Sequence, residues 1–246
     1  PRIGVIGPAS SKVCTAVSFP ASWYEVPMVS YSCTSVTLSD KAKHPFFLRG
    51  VPPDDAQSAA LADIMLDFGF DNIGAISTAD EYGGRGIEAF RDASSQIGLT
   101  INRVEQFISG AADVSQQITN LKDSESRVFL SFMLASDHNL VIREAVAQEI
   151  VGEFYVWFCA DGCAASDSFF DVSGETRELD QVVLDGMLGT LGTTPSGGRG
   201  PLYESKYFRE NKTHILIFLL ALLAQWQELD PEEYPGAGKY VKRYIL

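Results

Sequence analysis

Histidine is scarce in this sequence, with three residues in 246, and cysteine is nearly as scarce, with four. His44, His138 and His214 lie in unrelated segments with no HExxH spacing, and Cys14, Cys33, Cys159 and Cys163 form no CxxC. A zinc centre or thioredoxin-like redox motif is therefore not predicted, and no metal ligand is assigned. The histidines read as surface or loop residues. The cysteines read either as buried free thiols or, in a secreted chain, as one or two disulfides.

A G-x-S-x-G elbow is missing, and no histidine is placed as a base for a serine or cysteine, so hydrolysis is the weaker reading and no catalytic residue is named. The phosphate-cradling G-x-x-x-x-G-K-[ST] is absent, and "GVIGPA" lacks the spacing of a dinucleotide fingerprint. No cofactor is expected. Positive charge is also in deficit: 19 Lys and Arg against 32 Asp and Glu give a formal charge of −13, which repels phosphate backbones and argues against a nucleic-acid partner. The one long apolar run, Ile215 to Trp226, falls short of the roughly twenty residues a membrane span needs and reads as a buried helix. No basic and apolar leader precedes "PRIGVIG", where the chain opens inside a predicted strand, so the sequence reads as a fragment.

What is present is an alternation of short apolar runs and helical periods. Strands are predicted at residues 3–6, 28–31, 46–48, 72–77, 100–104, 128–132, 154–158 and 187–191. Between them, Leu61, Ile64, Met65 and Phe68 recur at helical spacing before Gly69. Val114, Ile118 and Leu121 mark a second helix, and Val141, Ile142, Ala145 and Val146 a third. This is the signature of a doubly wound α/β fold with mostly parallel sheets.

In such sheets ligands sit beyond the carboxyl ends of the strands, where loops lead into helix N-termini. Five loops fall there: "GPASS", "SCTS", "VPPDD", "TADEYGG" and "CADGC". They offer hydroxyls and helix amides at Ser11, Ser32 and Thr34, carboxylates at Asp54 and Asp161, and the ring of Tyr82. Hydroxyls and amides suit a carboxylate, while acidic groups and an aromatic face suit an ammonium, so the set fits a zwitterion. Each member also admits a plain structural role. Ser10 or Ser11 could cap a helix, Thr34 and Ser35 could form a turn, Asp54 could cap a helix starting near Asp55, Tyr82 could simply pack, and "ADG" could be an ordinary turn.

The stretches "GVIGPASSKV", "VPMVSYSCTSVTLSDKAKHPFFLRGVPPDDAQSAAL", "DEYGGRGIEAF", "VGEF" and "ADG", in this order, resemble the ligand-binding ectodomain of class C G-protein-coupled receptors, above all the metabotropic glutamate receptors. The likeness runs from about Ile3 to Gly162, with a looser continuation through "GTLGTTPSGG". It implies a clamshell of two α/β lobes of the periplasmic-binding-protein type I kind that closes on an amino acid. Through it, Ser11 and Thr34 correspond to groups holding the ligand's α-carboxylate, Thr34 also reaching the ammonium, while Asp54, Tyr82 and Asp161 correspond to groups on the opposite lobe holding the ammonium.

The likeness further implies a homo- or heterodimer through the first lobe, an extracellular position at the plasma membrane, and a G protein reached through membrane helices outside this sequence. A solute-binding protein serving a transporter shares the fold and is the alternative. There are departures: Leu134 and Ala135 stand where glutamate receptors carry an acidic residue and glycine, and Cys163 stands where they carry tryptophan. The family's first strands, with basic residues that read a glutamate side chain, would precede "PRIGVIG". The resemblance therefore supports an α-amino acid without specifying glutamate.

The lobes are expected at residues 1–52 with 190–246, and at 53–189. Closeness to the same loops pairs Cys14 with Cys33 and Cys159 with Cys163. Residues 211–225 interrupt an otherwise smooth join of "YFRE" to "WQELDPEEYPGAG" and read either as a genuine helix or as a retained intron. Asn211 in "NKT" would be a glycosylation acceptor in a secreted chain.

Overall fold

Strands and helices alternate through residues 4–164 and 180–193, the part of the chain that the computed structural model describes. The apolar segment 211–225, Asn211 and His214 lie outside the described residues. The chain divides into two units between Pro53 and Asp54.

In the first unit, β1 (Val5–Ile6), β2 (Met28–Ser30) and β3 (Phe47–Arg49) form a parallel sheet in the order β1-β2-β3. The connection from β1 to β2 is α1 (Ser11–Trp23), and a short 3-10 turn, Val36–Ser39, precedes β3. Gly7 takes a left-handed φ of 90°, which glycine tolerates without steric penalty, and turns the chain from β1 toward α1. The core beneath is Cys14, Ala21, Met28, Cys33, Leu38 and Phe47, all buried. Cys14 and Cys33 are joined by a disulfide with a Cα–Cα separation of 6.5 Å, linking the first turn of α1 to the loop after β2.

The second unit begins with α2 (Asp54–Asp67) and continues as β4 (Asn72–Thr78), α3 (Gly83–Ile97), β5 (Thr100–Phe107), α4 (Ser115–Asp123), β6 (Val128–Phe132), α5 (Ala135–Ala147) and β7 (Val156–Cys159). After residue 180 come α6 (Gln181–Gly186) and β8 (Leu191–Gly192). All its strand pairs are parallel, in the order β5-β4-β6-β7-β8. Because successive strand residues face opposite sides, β6 sends Phe129 into one core, with Ile118, Leu121, Val141 and Ile142 of α4 and α5. It sends Leu130 and Phe132 into the other, with Leu61, Met65 and Phe90 of α2 and α3. Each such fully buried aromatic or branched side chain contributes about 1.5–3 kcal/mol. Two apolar layers, one on each face of a parallel sheet, are the doubly wound fold expected from the alternation.

Close approach of α3 to the sheet depends on glycine. A Cβ on Gly86 would lie 2.2–2.5 Å from the Phe132 ring, and one on Gly83 would lie 2.5 Å from the Thr78 carbonyl oxygen. Gly86→Ala is expected to cost about 1–3 kcal/mol through overpacking, read as a lower denaturant midpoint with an unchanged m value.

Several expectations are corrected. Of the strand predicted at 187–191, residues 187–190 are the turn that follows a helix and only Leu191 lies in a strand. The Asp180 carboxylate accepts from the Val183 N–H at 3.3 Å and starts α6, Met187 closes it, and Leu188 is exposed. Leu191 and Gly192 pair with Phe158 and Cys159, so the part of residues 190–193 assigned to the first lobe sits in the second unit's sheet. In α2 the apolar face is narrower than its periodicity suggested, for Leu61 and Met65 are fully buried while Ile64, and Phe68 in the turn just after the helix, remain exposed. His44 and His138, read as surface or loop histidines, are both fully buried. His44 Nδ1 pairs with Ser18 Oγ at 2.7 Å. Finally, Cys159 and Cys163 are buried thiols that do not form the second disulfide.

Candidate ligand site

In the first unit, the loops that follow β1 and β2 are tied together by serine hydroxyls. Ser30 Oγ donates to the Pro8 carbonyl at 2.8 Å and accepts from the N–H groups of Ser32 and Cys33 at 3.2 and 2.9 Å. Ser11, the first residue of α1, is buried, and its Oγ accepts from the Ser35 N–H at 3.2 Å. Ser10 occupies the N-cap position, but its side chain makes no capping bond, so the capping role considered for this pair is not exercised by Ser10. From β3, Arg49 donates through Nη1 to the carbonyls of Thr34 at 3.0 Å and Ser35 at 2.8 Å.

With the loop backbone held by Arg49 and Ser11, the side chains of Thr34 and Ser35 are left facing inward. Both hydroxyls are buried without a hydrogen-bond partner. A buried unsatisfied hydroxyl costs about 1–3 kcal/mol, and native structures keep few of them. Here two stand side by side at the carboxyl end of a parallel strand, next to the first turn of a helix whose amides favour an anion. Ser32, in the same loop, is exposed.

In the second unit, the loops after β4 and β7 meet. Asp80 Oδ1 accepts from the N–H groups of Tyr82 and Gly83 at 3.0 and 2.9 Å, which fixes the entry to α3 and the position of Tyr82. The Tyr82 ring packs on Phe132, with centroids 5.0 Å apart. Its hydroxyl donates to Asp161 Oδ1 at 2.5 Å and accepts from the Gly162 N–H at 2.8 Å. Tyr82 thus both packs and bonds, and the two roles weighed for it are compatible. A Cβ on Gly162 would lie 2.7 Å from the Tyr82 hydroxyl, so a larger residue there would push the phenol off Asp161.

Burial raises the Tyr82 phenol well above its usual value, and the nearby Asp161 charge adds to the effect. A spectrophotometric titration of the wild type minus Tyr82→Phe should therefore show no phenolate signal up to about pH 10, the ordinary tyrosine midpoint. A phenolate step below that pH would contradict the buried, acid-facing position.

Gln57 of α2 was not among the candidates, and nothing in its sequence context marks it. In the amide orientation that satisfies both of its atoms, it accepts from the Asp161 N–H at 2.8 Å and donates to Asp161 Oδ1 at 3.2 Å. It thereby positions the Asp161 loop from the opposite helix. Asp54 is fully buried in the first turn of α2, so it lies inside the helix it was thought to precede. The second unit brings Tyr82 and Asp161 into direct contact and places Asp54 near enough to add to the rise in the Tyr82 pKa. The first unit brings the loops of Ser11 and Thr34 together through Ser35.

A thiol and an imidazole also converge, which their separation in sequence concealed. His138 Nε2 is 3.2 Å from Cys159 Sγ. Both residues are at most 1 % exposed.

In the second unit, parallel strands covered by helices on both faces are the fold of the periplasmic-binding-protein type. The chain belongs to the family described as "Receptor family ligand binding region", which it matches over residues 3–211. It is 32 % identical over 181 residues to the extracellular calcium-sensing receptor of Mus musculus, and 31 % identical over 181 residues to those of Sus scrofa and Homo sapiens. In each case 71 % of this chain is covered, against 17 % of the relative, so the chain spans a minor part of the length of these class C receptors. Among the described residues, no helix is long and apolar enough to cross a membrane.

Proposed function

We propose that this chain is the sensing part of an extracellular class C receptor domain and that its ligand is an α-amino acid. The observation that carries the reading is the chemistry at the strand ends. One unit holds two buried, unsatisfied hydroxyls beside a helix N-terminus, suited to a carboxylate. The other holds the Tyr82–Asp161 pair, suited to an ammonium.

In this reading Ser11 and Thr34 hold the carboxylate, Ser32 lines the same loop, and Asp54, Tyr82 and Asp161 hold the ammonium. The lobes are residues 1–52 with the chain after β8, and residues 53 to about 193. A ligand held by both lobes favours their closed state by its differential affinity for it, and a dimer formed through the first lobe would pass closure to membrane helices and a G protein. The alternative of a solute carrier keeps the same contacts without the signalling. Calcium, the ion in the relatives' names, is the competing ligand, and it would use the carboxylates without needing the hydroxyls.

Thr34 separates these two. Thr34→Val removes the hydroxyl at nearly constant shape and is expected to weaken binding of a free α-amino acid by roughly five- to tenfold, about 1 kcal/mol or a little more, in isothermal titration calorimetry. Thr34→Ser should restore most of it. Equal affinity in Thr34→Val and wild type would overturn the carboxylate assignment, as would calcium binding that is tight while amino-acid binding is absent.

A further inference from the structure

We propose that His138, Cys159 and Cys163 form a binding site for a monovalent thiophilic cation, Cu(I). The three residues come from different elements of the second unit. His138 is in the first turns of α5, Cys159 ends β7, and Cys163 lies in the turn four residues on. One donor atom from each lies within 4.8 Å of the other two, and all three residues are buried, with exposures of 0 %, 1 % and 0 %.

Metal–sulfur and metal–nitrogen bonds of about 2.3 and 2.0–2.1 Å would set the donors of a trigonal site roughly 3.5–4 Å apart. The donors present, all within 4.8 Å of one another, would have to close by about an ångström at most, and the His138 Nε2 to Cys159 Sγ distance of 3.2 Å would open slightly to reach that range. The surroundings also suit thiolates. Ser131 stands in register with Cys159 on the neighbouring strand, hence on the same sheet face, and its hydroxyl is buried without a hydrogen-bond partner. It can donate to a coordinated sulfur, as ligands outside the metal's own shell commonly require.

The donor set selects the ion. Two thiolates and an imidazole are soft ligands that favour Cu(I) or Zn(II) over calcium and magnesium. Zn(II) in a closed site takes four ligands, and in an open site it keeps a water. Among the described residues no fourth His, Cys, Asp or Glu joins this group, and its burial leaves little room for solvent. Three-coordinate Cu(I) needs neither. Each Cu–S bond forms as a thiol gives up its proton to buffer, and the oxidation state of copper does not change.

The test is an anaerobic titration of the native 246-residue chain, with its Cys14–Cys33 bridge intact, with Cu(I) buffered by bicinchoninate, followed by X-ray absorption of the loaded protein. The expected result is one equivalent withheld from the chelator and a shell of two sulfurs and one nitrogen, which the wild type alone can show. Cys163→Ser and His138→Ala should each lower the affinity at least tenfold. The proposal is overturned if no equivalent is withheld, if the shell contains no nitrogen or fewer than two sulfurs, or if Zn(II) binds with a fourth ligand while Cu(I) does not. Mass spectrometry showing a Cys159–Cys163 disulfide in the natively purified chain would overturn it too.

Discussion

Asp161→Ala is expected to weaken binding of an α-amino acid by about 1.5–3 kcal/mol, roughly ten- to 150-fold, because it removes the charged partner of the ligand ammonium. The carboxylate is not free to drift. It receives the Tyr82 hydroxyl at 2.5 Å, and Gln57 reaches its oxygen and its backbone N–H. Such a held acceptor loses little entropy when a ligand arrives. Asp161→Asn keeps the shape and one acceptor, and should fall between wild type and alanine. Tyr82→Phe keeps the ring and should cost less than Asp161→Ala, since the carboxylate survives. Calorimetry on the four proteins checks the order. Affinity that is insensitive to Asp161 while the variants remain folded would remove the acidic side of the site.

Loss of the Cys14–Cys33 bridge is the largest stability effect expected. The crosslink closes a loop with a sequence separation of 19, and constraining the unfolded chain over such a loop is worth about 3 kcal/mol. The Cys14→Ser, Cys33→Ser double variant should unfold at correspondingly lower denaturant. The same change should loosen the loop that carries Thr34 against α1, so amino-acid affinity should fall even under conditions where the variant is folded. A double variant as stable as the wild type would mean that the bridge contributes nothing in solution.

The strands of the second unit were legible where both faces of the sheet are buried. "VFLSF" was read as residues 128–132 and forms β6 over Val128–Phe132, because all five residues are inside and nothing in the run competes with a strand. "MLGTL" misled for the opposite reason. It is apolar enough for a strand, yet Asp180 had already started a helix upstream, and Leu188 points to solvent. In α2 the periodicity was right, but tertiary contact decided which of its apolar residues were covered.

At the candidate site, the loops could be picked out because parallel sheets place ligands at strand ends, and the residue types at those ends are small, hydroxylic or acidic. What could not be read were the partners of those residues. Gln57 is one of several polar residues on a helix, and only the fold sets it against Asp161. The pairing of Cys159 with Cys163 rested on their closeness to the same loop, which does not decide whether the thiols bond. His138, 21 residues before Cys159, meets it because α5 covers the face of the sheet on which the Cys159 side chain of β7 lies. The resemblance to class C receptors contributed the roles assigned to Ser11, Thr34, Asp54, Tyr82 and Asp161, and family membership follows independently from the match over residues 3–211.

The central claim, that the strand-end loops hold both charged ends of a free α-amino acid, is tested most directly by calorimetry of the wild-type chain. The titrants are the protein L-amino acids, their methyl esters and N-acetyl derivatives, and calcium chloride. The account predicts saturable one-to-one binding of at least one free amino acid, and its loss when either the carboxylate or the ammonium is masked. Binding that survives masking of either group, or a response to calcium alone, would contradict it.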